Sequence, residues 1–96
     1  MPAVHRNGDS RACGATTTVV GDTNVFCNGQ LISVNGDPNT DGGGSLIAQC
    51  NNVFADGKLV VILGNDADPD SQCIPVGGAH CDPSATSGSP NVFTGA

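Results

Sequence analysis

The amino-acid sequence predicts an all-β fold in which three β-hairpin-like repeats surround a common axis. One observation is the triplet Asn-Val-Phe, which occurs at residues 24–26, 52–54 and 91–93 and contains all three aromatic residues of the chain. The second is the composition, with 14 Gly and 6 Pro among 96 residues, no Glu, and short stretches rich in Val, Ile and Thr. Such residues form turns and strands rather than helices.

Sequence motifs recur with a period of 28 residues, which indicates an internal repeat. Asn24 and Asn52 of the first two triplets are 28 residues apart, and so are Asn7 and Asn35, each of which begins an Asn-Gly-Asp turn. The third copy is looser, because Asn91 lies 39 residues beyond Asn52. An insertion of about a dozen residues explains the difference, since longer loops cost little. The predicted repeats span about 5–34, 35–63 and 64–96 of a single domain, 1–96.

Each of the first two repeats contains a hairpin signal. Asn-Gly at 28–29 and Asp-Gly at 56–57 separate strand-like segments, and such pairs favour two-residue β-turns. One hairpin of this size cannot bury its apolar side, whereas three arranged around an axis can bury one another. We therefore expect Phe26, Phe54 and Phe93 to form the widest layer of a shared core.

The net charge of −6 argues against several function classes. Nine Asp stand against three basic residues, whereas binding to nucleic acid or to an anionic membrane surface requires clustered Lys and Arg. No apolar run approaches the roughly 20 residues that span a bilayer, and the start of the chain lacks the apolar core of a secretion signal. We expect a protein that does not bind nucleic acid and that has no signal peptide.

Three equivalent positions of the repeat carry residues that can bind a metal. Eleven residues before each triplet Asn lie Cys13, Asp41 and His80. If the repeats surround an axis, these side chains converge on it. Zn²⁺ prefers thiolate and imidazole ligands, and a zinc site contributes folding free energy that a small core lacks.

The predicted zinc ligands are Cys13, Cys73, His80 and Cys81. Cys73 lies seven residues before His80, and Cys81 directly follows it. Asp41 is the alternative ligand, favoured by its repeat position but disfavoured where thiolates are available. His80 and Cys81 are adjacent, so a tight loop is needed for both to bind one ion.

The other Cys and His residues receive structural interpretations. The chain has five Cys, an odd number, which favours free thiols or metal ligands over a complete disulfide framework. Cys27 and Cys50 are interpreted as small buried hydrophobic residues. His5 precedes a turn, and we interpret it as an exposed residue at a strand end, with metal binding as the less favoured alternative.

The remaining motifs do not support catalysis. Asp66, Asp68 and Asp70 alternate as at the start of a calcium loop, but Ser71 replaces the required Gly and Gly77 the required Glu, so a solvated acidic loop is predicted. No Gly-x-Ser-x-Gly motif is present, and the Asp-Gly-Gly-Gly-Ser stretch lacks the Lys of a phosphate loop. We expect neither enzymatic activity nor a small-molecule substrate.

The repeats resemble those of PAAR-repeat proteins, the tip proteins of contractile injection machines. The corresponding segments are HRNGDSRACG, SVNGDPNTDGGG, SGSPNVFTGA, NVFCNGQ and NVFADGK, which together cover essentially the whole chain. The resemblance implies a small, sharp cone of three pseudo-threefold units with a zinc ion at its apex. The family pattern has three His and one Cys as ligands, and here Cys13 and Asp41 stand where His is usual, so that only His80 matches.

The resemblance also implies production in the bacterial cytoplasm and a function. One copy is expected to cap and sharpen the trimeric β-helical, membrane-piercing spike of a phage tail or a type VI secretion system, and to touch the target membrane transiently. Candidates for contacts with the spike are the apolar strand residues Leu31, Ile32, Leu59 and Val60. Two other classes stay open, a small zinc-binding regulatory or storage module and a secreted, disulfide-held, adhesin-like β protein.

Overall fold

The computed structural model describes residues 2–94, and its regular structure consists of two short antiparallel hairpins and one 3₁₀ helix. The elements are β1 (Phe26–Cys27), β2 (Gln30–Leu31), β3 (Phe54–Ala55), β4 (Lys58–Leu59) and the 3₁₀ helix Gly78–Cys81. No α-helix occurs among the described residues. The mostly β character predicted from the sequence is therefore confirmed.

The two hairpins have the same register and the same kind of turn. Phe26 pairs with Leu31, and Phe54 pairs with Leu59, 28 residues further on. The first residue of each turn, Asn28 or Asp56, has a φ of 55° or 54°, and the Gly that follows has a φ of 79° or 82°. Positive φ at both central residues is what a type I′ turn requires, and Asn-Gly and Asp-Gly pairs tolerate it best. Both hairpins stand where the sequence predicted them.

A closed ring of three backbone hydrogen bonds joins three segments, one near the beginning of the chain and one after each hairpin. The His5 N–H donates to the Val61 carbonyl, the Ser33 N–H donates to the His5 carbonyl, and the Val61 N–H donates to the Ser33 carbonyl, each over 3.0 Å. The three residues are spaced by 28 in the sequence, and each is completely buried. Every segment thus has two neighbours at this level, and none presents an unpaired edge.

β-Bridges on either side of the ring connect the same three segments in the same pairs. Val4 bridges to Ile62, Arg6 bridges to Ile32, and Val34 bridges to Val60. Each segment then turns through an Asx motif, in which Asp9, Asp37 or Asn65 accepts a hydrogen bond from the backbone N–H three residues before it. These side chains satisfy N–H groups that the bridges leave free.

The last Asn-Val-Phe triplet pairs with the beginning of the chain. Phe93 bridges to Ala3, just as Phe26 pairs with Leu31, and the Val4 N–H donates to the Val92 carbonyl over 3.1 Å. The chain closes around itself, and its described part measures about 35 × 24 × 22 Å along its principal axes.

The three Phe side chains are exposed, so the prediction that they form a shared core is wrong. Phe26 is 59%, Phe54 62% and Phe93 49% exposed. Side chains alternate between the two faces of a strand, and here the neighbouring residue points inward instead. That residue is Cys27 in β1 and Ala55 in β3, both buried.

Small and β-branched side chains fill the interior in place of the aromatic rings. One hydrophobic cluster consists of Val4, Cys27, Val34, Cys50, Ala55, Val60 and Ile62. A second, nearer the loops, consists of Leu46, Val61, Ala67 and Ala85. Cys27 and Cys50 are buried free thiols, as their interpretation as small hydrophobic residues required.

His5 is completely buried, so the prediction of an exposed strand-end residue is wrong. Its Nδ1 lies 2.7 Å from the Ser87 carbonyl oxygen, which can only accept, so Nδ1 carries a proton. Its Nε2 lies 2.6 Å from Thr17 Oγ1, which also accepts a hydrogen bond from Arg11 Nε. Burial disfavours a second proton on the ring, so Nε2 accepts the hydroxyl proton of Thr17. The ring is therefore neutral, and burial lowers its pKa below the usual 6.5.

Arg11 is also buried, and its guanidinium binds backbone from two other parts of the chain. Nη1 donates to the carbonyls of Gly44 and Pro83 over 2.8 Å each, and Nη2 donates to the Asp37 carbonyl over 3.1 Å. A guanidinium has five N–H donors in one plane, which suits it to such a junction. Arg11 thus links three loops that no regular element connects.

We expect the stability of the protein to fall between pH 7 and pH 5 because His5 is buried and neutral. Below pH 6.5 the unfolded chain binds a proton at His5 that the folded chain does not, so the free energy of unfolding decreases by at most about 1.4 kcal/mol per pH unit. Urea unfolding at several pH values measures this slope. His5→Gln should flatten it and Lys58→Met should not, and equal slopes in all three proteins would refute the assignment.

We also expect Arg11→Met to destabilise the fold by about 3 kcal/mol, because buried carbonyls at Gly44 and Pro83 lose a hydrogen-bond donor. Lys58→Met is the matched control, since Lys58 is exposed. Thermal unfolding measures both variants. An Arg11 variant as stable as the control would show that the guanidinium does not hold these loops together.

Candidate metal centre

Four side chains from four separate positions of the chain converge at the loop end of the molecule. They are Cys13, Asp41, Asp70 and His80, and one potential ligand atom from each lies within 4.8 Å of all the others. None of the four belongs to a β-strand. Their donor set comprises one sulfur, one imidazole nitrogen and two carboxylate oxygens.

Tight loops hold the four residues in place. Cys13 lies in a turn closed by the Arg11 N–H donating to the Ala15 carbonyl over 2.9 Å. Asp41 lies in a turn closed by the Asn39 N–H donating to the Gly43 carbonyl over 2.6 Å. The third loop is longer, and the Asp70 N–H closes it by donating to the carbonyl of His80 itself over 2.9 Å.

Asp70 is the most firmly held of the four. Its side chain is fully shielded from solvent. The Gln72 N–H and Asn39 Nδ2 donate to its two oxygens over 2.9 Å and 3.0 Å, and His80 Nδ1 lies 3.1 Å from the nearer one. Burial alone raises the pKa of the Asp70 carboxyl, but the hydrogen bonds from Asn39, His80 and Gln72 outweigh burial and lower it below its ordinary value. The group is therefore a fixed negative charge.

The Cys13 thiol, in contrast to the Asp70 carboxyl, favours its uncharged, protonated form. Burial raises the pKa of its thiol above the usual value, and the nearby carboxylates of Asp70 and Asp41 raise it further, against one hydrogen bond from the Ala15 backbone. A bound cation reverses this balance, since a coordinating thiol loses its proton. The pKa of Cys13 thus couples the release of a proton to metal binding.

Asn39 positions the ligands without being one. Its Nδ2 donates to Asp70 and lies 3.8 Å from Cys13 Sγ, while its Oδ1 accepts from the Asp41 N–H over 2.8 Å. The Asn39 amide fits only because Gly44 lacks a side chain, as a Cβ there would stand 2.6 Å from Asn39 Nδ2. Gly44 also has a φ of +67°, which disfavours any other residue.

The donor set suits a borderline transition-metal ion such as Zn²⁺. Zn²⁺ binds Cys sulfur, His nitrogen and Asp oxygen, usually four at a time, whereas Ca²⁺ and Mg²⁺ take oxygen ligands. The two neighbouring carboxylates also repel each other, and a cation between them relieves this repulsion. The structure thus contains a candidate metal-binding group, and the identity of the metal stays a prediction.

The cluster overlaps the predicted ligand set at two residues. Cys13 and His80 belong to it, and so does Asp41, the alternative ligand. Cys73 and Cys81 are instead bonded to each other in a disulfide, so in this state neither offers a thiolate. The expectation of free thiols holds for the other three cysteines and not for this pair.

Sequence reasoning missed Asp70, which it assigned to a solvated loop. Cys13 and Asp41 lie four residues after Asp9 and Asp37, and Asp70 lies five residues after the equivalent Asn65. The same count of four residues from Asn65 reaches Pro69, next to Asp70, whereas counting back from the triplet identifies His80. Asp70 and His80 both belong to the site, because the insertion in the third loop lies between them.

His5, the other candidate ligand, binds Thr17 and Ser87 in the interior and takes no part in the cluster. Asp66 and Asp68 are exposed, as a solvated loop requires, while Asp70 is buried. Asn39 carried no sequence signal beyond its place in a turn.

Comparison with known proteins adds no assignment. No protein-family model matches the chain, and no characterised protein matches it in sequence. Among residues 2–94, no helix is long and apolar enough to cross a membrane.

We expect the cluster to bind Zn²⁺ and to stabilise the fold on doing so. At 100 times the dissociation constant, Zn²⁺ should raise the free energy of unfolding by about 2.7 kcal/mol, and a chelator should remove the effect. Asp70→Asn or His80→Ala should weaken binding at least about tenfold, as loss of a ligand requires. Elemental analysis and thermal unfolding measure both effects.

The matched control is Asp68→Asn, an exposed Asp of the same loop that should bind Zn²⁺ like the wild type. Equal metal content in the Asp68, Asp70 and His80 variants would rule out this site.

Proposed function

We propose that the protein is a PAAR-like structural tip that caps and sharpens the trimeric β-helical, membrane-piercing spike of a contractile tail, in a phage or a type VI secretion system. It acts without catalysis, and one copy binds one spike trimer. A zinc ion at the loop end stiffens the point. The family assignment rests on the sequence motifs, and the geometry below supports the role.

One observation carries the proposal: three exposed Phe side chains occupy equivalent places around the ring of backbone hydrogen bonds. The three Phe residues pair with residues at equivalent positions of the repeat, which are Leu31, Leu59 and Ala3. Between 49 and 62% of each Phe is exposed to solvent. Exposed aromatic residues are costly in a solitary protein and are enriched at interfaces. Three of them in a cyclic arrangement fit a partner that repeats the same pocket three times.

The proposed cone follows from the order of elements along each segment. In the second segment, Leu31 pairs with the hairpin at one end, while Asp37 begins the loop at the other. We therefore place the hairpins and their Phe residues at the base, and the loops with the metal ligands at the apex. The dimensions, 35 Å against 24 and 22 Å, agree with an elongated body.

The base also defines which apolar residues are available to a spike. Leu31, Ile32 and Leu59 are half-buried and can contribute contacts beside the Phe residues. Val60 is only 2% exposed, so it packs inside and is not available as a contact residue. The proposed interface therefore has aromatic anchors surrounded by partly exposed aliphatic residues, as is common in stable interfaces.

The metal cluster favours a second candidate, a zinc-binding regulatory or storage module. Such a module exchanges its metal and needs no trimeric partner. The tip instead needs the metal as a structural link among loops with little apolar packing. Binding to a spike protein separates the two functions, since only the tip forms a complex with one copy per trimer.

We expect the protein to bind a trimeric β-helical spike protein from its own source organism with a stoichiometry of one to three. The triple variant Phe26→Ser, Phe54→Ser, Phe93→Ser should keep its fold, because the rings are exposed, and bind at least about 100-fold more weakly. Native mass spectrometry gives the stoichiometry, and titration calorimetry gives the affinity.

The matched control is Ile74→Ser with Val76→Ser, which removes exposed apolar side chains from the loop region. This control should bind the spike like the wild type. A different stoichiometry, or equal binding by the triple variant, would count against the tip function.

A further inference from the structure

The Cys73–Cys81 disulfide spans the insertion that carries two of the four candidate ligands. Asp70 lies three residues before Cys73, and His80 directly precedes Cys81. The Cys73 N–H also donates to the Asp70 carbonyl over 3.1 Å. Each cysteine of the pair is thus tied along the backbone to one residue of the metal cluster.

The segment between the two cysteines makes few contacts with the rest of the protein. Among residues 2–94, every hydrogen bond of residues 72–79 ends on a residue between 70 and 82. Ile74 is 96% and Val76 66% exposed, so the segment packs little apolar surface. Gly77 and Gly78, with φ values of 76° and 60°, lie at the start of the 3₁₀ helix that carries His80. Rearrangement of this segment therefore costs little packing.

The carboxylates differ in how firmly they are held. Asp70 accepts hydrogen bonds from the Gln72 backbone and from Asn39, and it is fully shielded. The Asp41 side chain is 34% exposed, and its contact with His80 Nδ1 is 3.5 Å long. A stronger competing ligand would therefore displace Asp41 before Asp70.

We propose that this disulfide is a redox switch that exchanges the ligands of the metal centre. With the disulfide formed, the ion is held by Cys13, Asp41, Asp70 and His80. When the disulfide is reduced, a freed thiol replaces Asp41, and with both thiols the set becomes Cys13, Cys73, His80 and Cys81. Thiolates displace carboxylates because Zn²⁺ prefers the softer sulfur ligand.

The redox step uses a dithiol as the reductant and a disulfide as the oxidant. Reduction transfers two electrons and two protons to the Cys73–Cys81 bond, yielding two thiols, while the dithiol becomes a disulfide. Metal binding then releases the proton of each coordinating thiol. Oxidation reverses the exchange: the two sulfurs bond to each other, the oxidant takes up two electrons from them and two protons from water to become two thiols, and the displaced carboxylates of Asp41 and Asp70 return to the ion.

The biological meaning rests on the proposed function. A spike tip is made in the reducing cytoplasm and delivered into an oxidising space, where disulfides persist. The tip would load its metal through thiolates and, after delivery, keep the ion on carboxylates while the disulfide closes the loop. The exchange itself is a property of the isolated chain, and its test does not involve a spike.

The test compares Co²⁺ binding to the oxidised and the reduced protein, because thiolate ligands of Co²⁺ give strong charge-transfer absorption. A trialkylphosphine reduces the disulfide, taking the oxygen of water to become a phosphine oxide while the two protons of water go to the thiols. After its anaerobic removal, Co²⁺ is titrated. We expect about two- to threefold more charge-transfer absorbance per bound Co²⁺ in the reduced protein, since one thiolate becomes two or three.

Variants make the experiment decisive. Asp41→Asn should weaken Co²⁺ binding at least about tenfold in the oxidised protein and have little effect in the reduced protein. The double variant Cys73→Ser, Cys81→Ser should give the oxidised-type spectrum under all conditions. Cys50→Ala, which changes a thiol buried in the hydrophobic cluster, should respond to reductant like the wild type.

Two results would overturn the switch. One is equal absorbance per bound Co²⁺ in both redox states, and the other is a response to reductant that survives in the double variant. If Co²⁺ binds in neither state, the metal centre fails together with the switch. The Phe-dependent binding of a spike is measured separately and would stand or fall independently.

Discussion

The closed ring of backbone hydrogen bonds among His5, Ser33 and Val61 is the constraint on which the rest of the structure depends. Backbone groups make these bonds whatever the side chain is, so three unlike residues occupy equal places in it. Each segment donates to one neighbour and accepts from the other, which leaves no open edge. The hairpins leave the segments at one end and the loops at the other. The exposed Phe residues and the metal cluster therefore take their relative positions from the same three bonds.

The interior of the ring explains why the repeats differ in sequence. Space around an axis cannot hold three copies of a large side chain, so one segment provides the large residue and the others provide smaller ones. His5 stands where the other segments have Ser33 and Val61, and Arg11 stands where they have Asn39 and Ala67, all of them buried. One guanidinium then satisfies carbonyls from several loops at once. The loops differ in sequence for a similar reason, because one ion is bound by a few side chains of different types and does not require the same ligand from each loop.

Features of the fold that depend on neighbouring residues, such as the turns, could be predicted from the sequence. Features that depend on how the three segments pack against one another could not. The turn at 28–29 follows from two adjacent residues that tolerate positive φ, which is a local property. Whether Phe26 or Cys27 points inward depends on where the other segments lie. The small number of aromatic residues in the chain does not predict which of the two is buried. Asp70 escaped prediction because an insertion shifts the repeat register between its two ends. The Cys73–Cys81 pairing could not be deduced from a count of cysteines, since the connectivity depends on folded geometry.

The pairing of Ala3 with Phe93 has a consequence for how the chain reaches its native state. Until the ribosome has synthesised residues 91–93, the segment around Ala3 lacks the partner that covers its outer side. Contacts between residues this far apart make folding slow, because the loop between them must close first. The polypeptide therefore completes its cycle only after residue 93 has been synthesised and released from the ribosome, and until then residues 2–4 form an unpaired edge that a chaperone or a second nascent chain can reach.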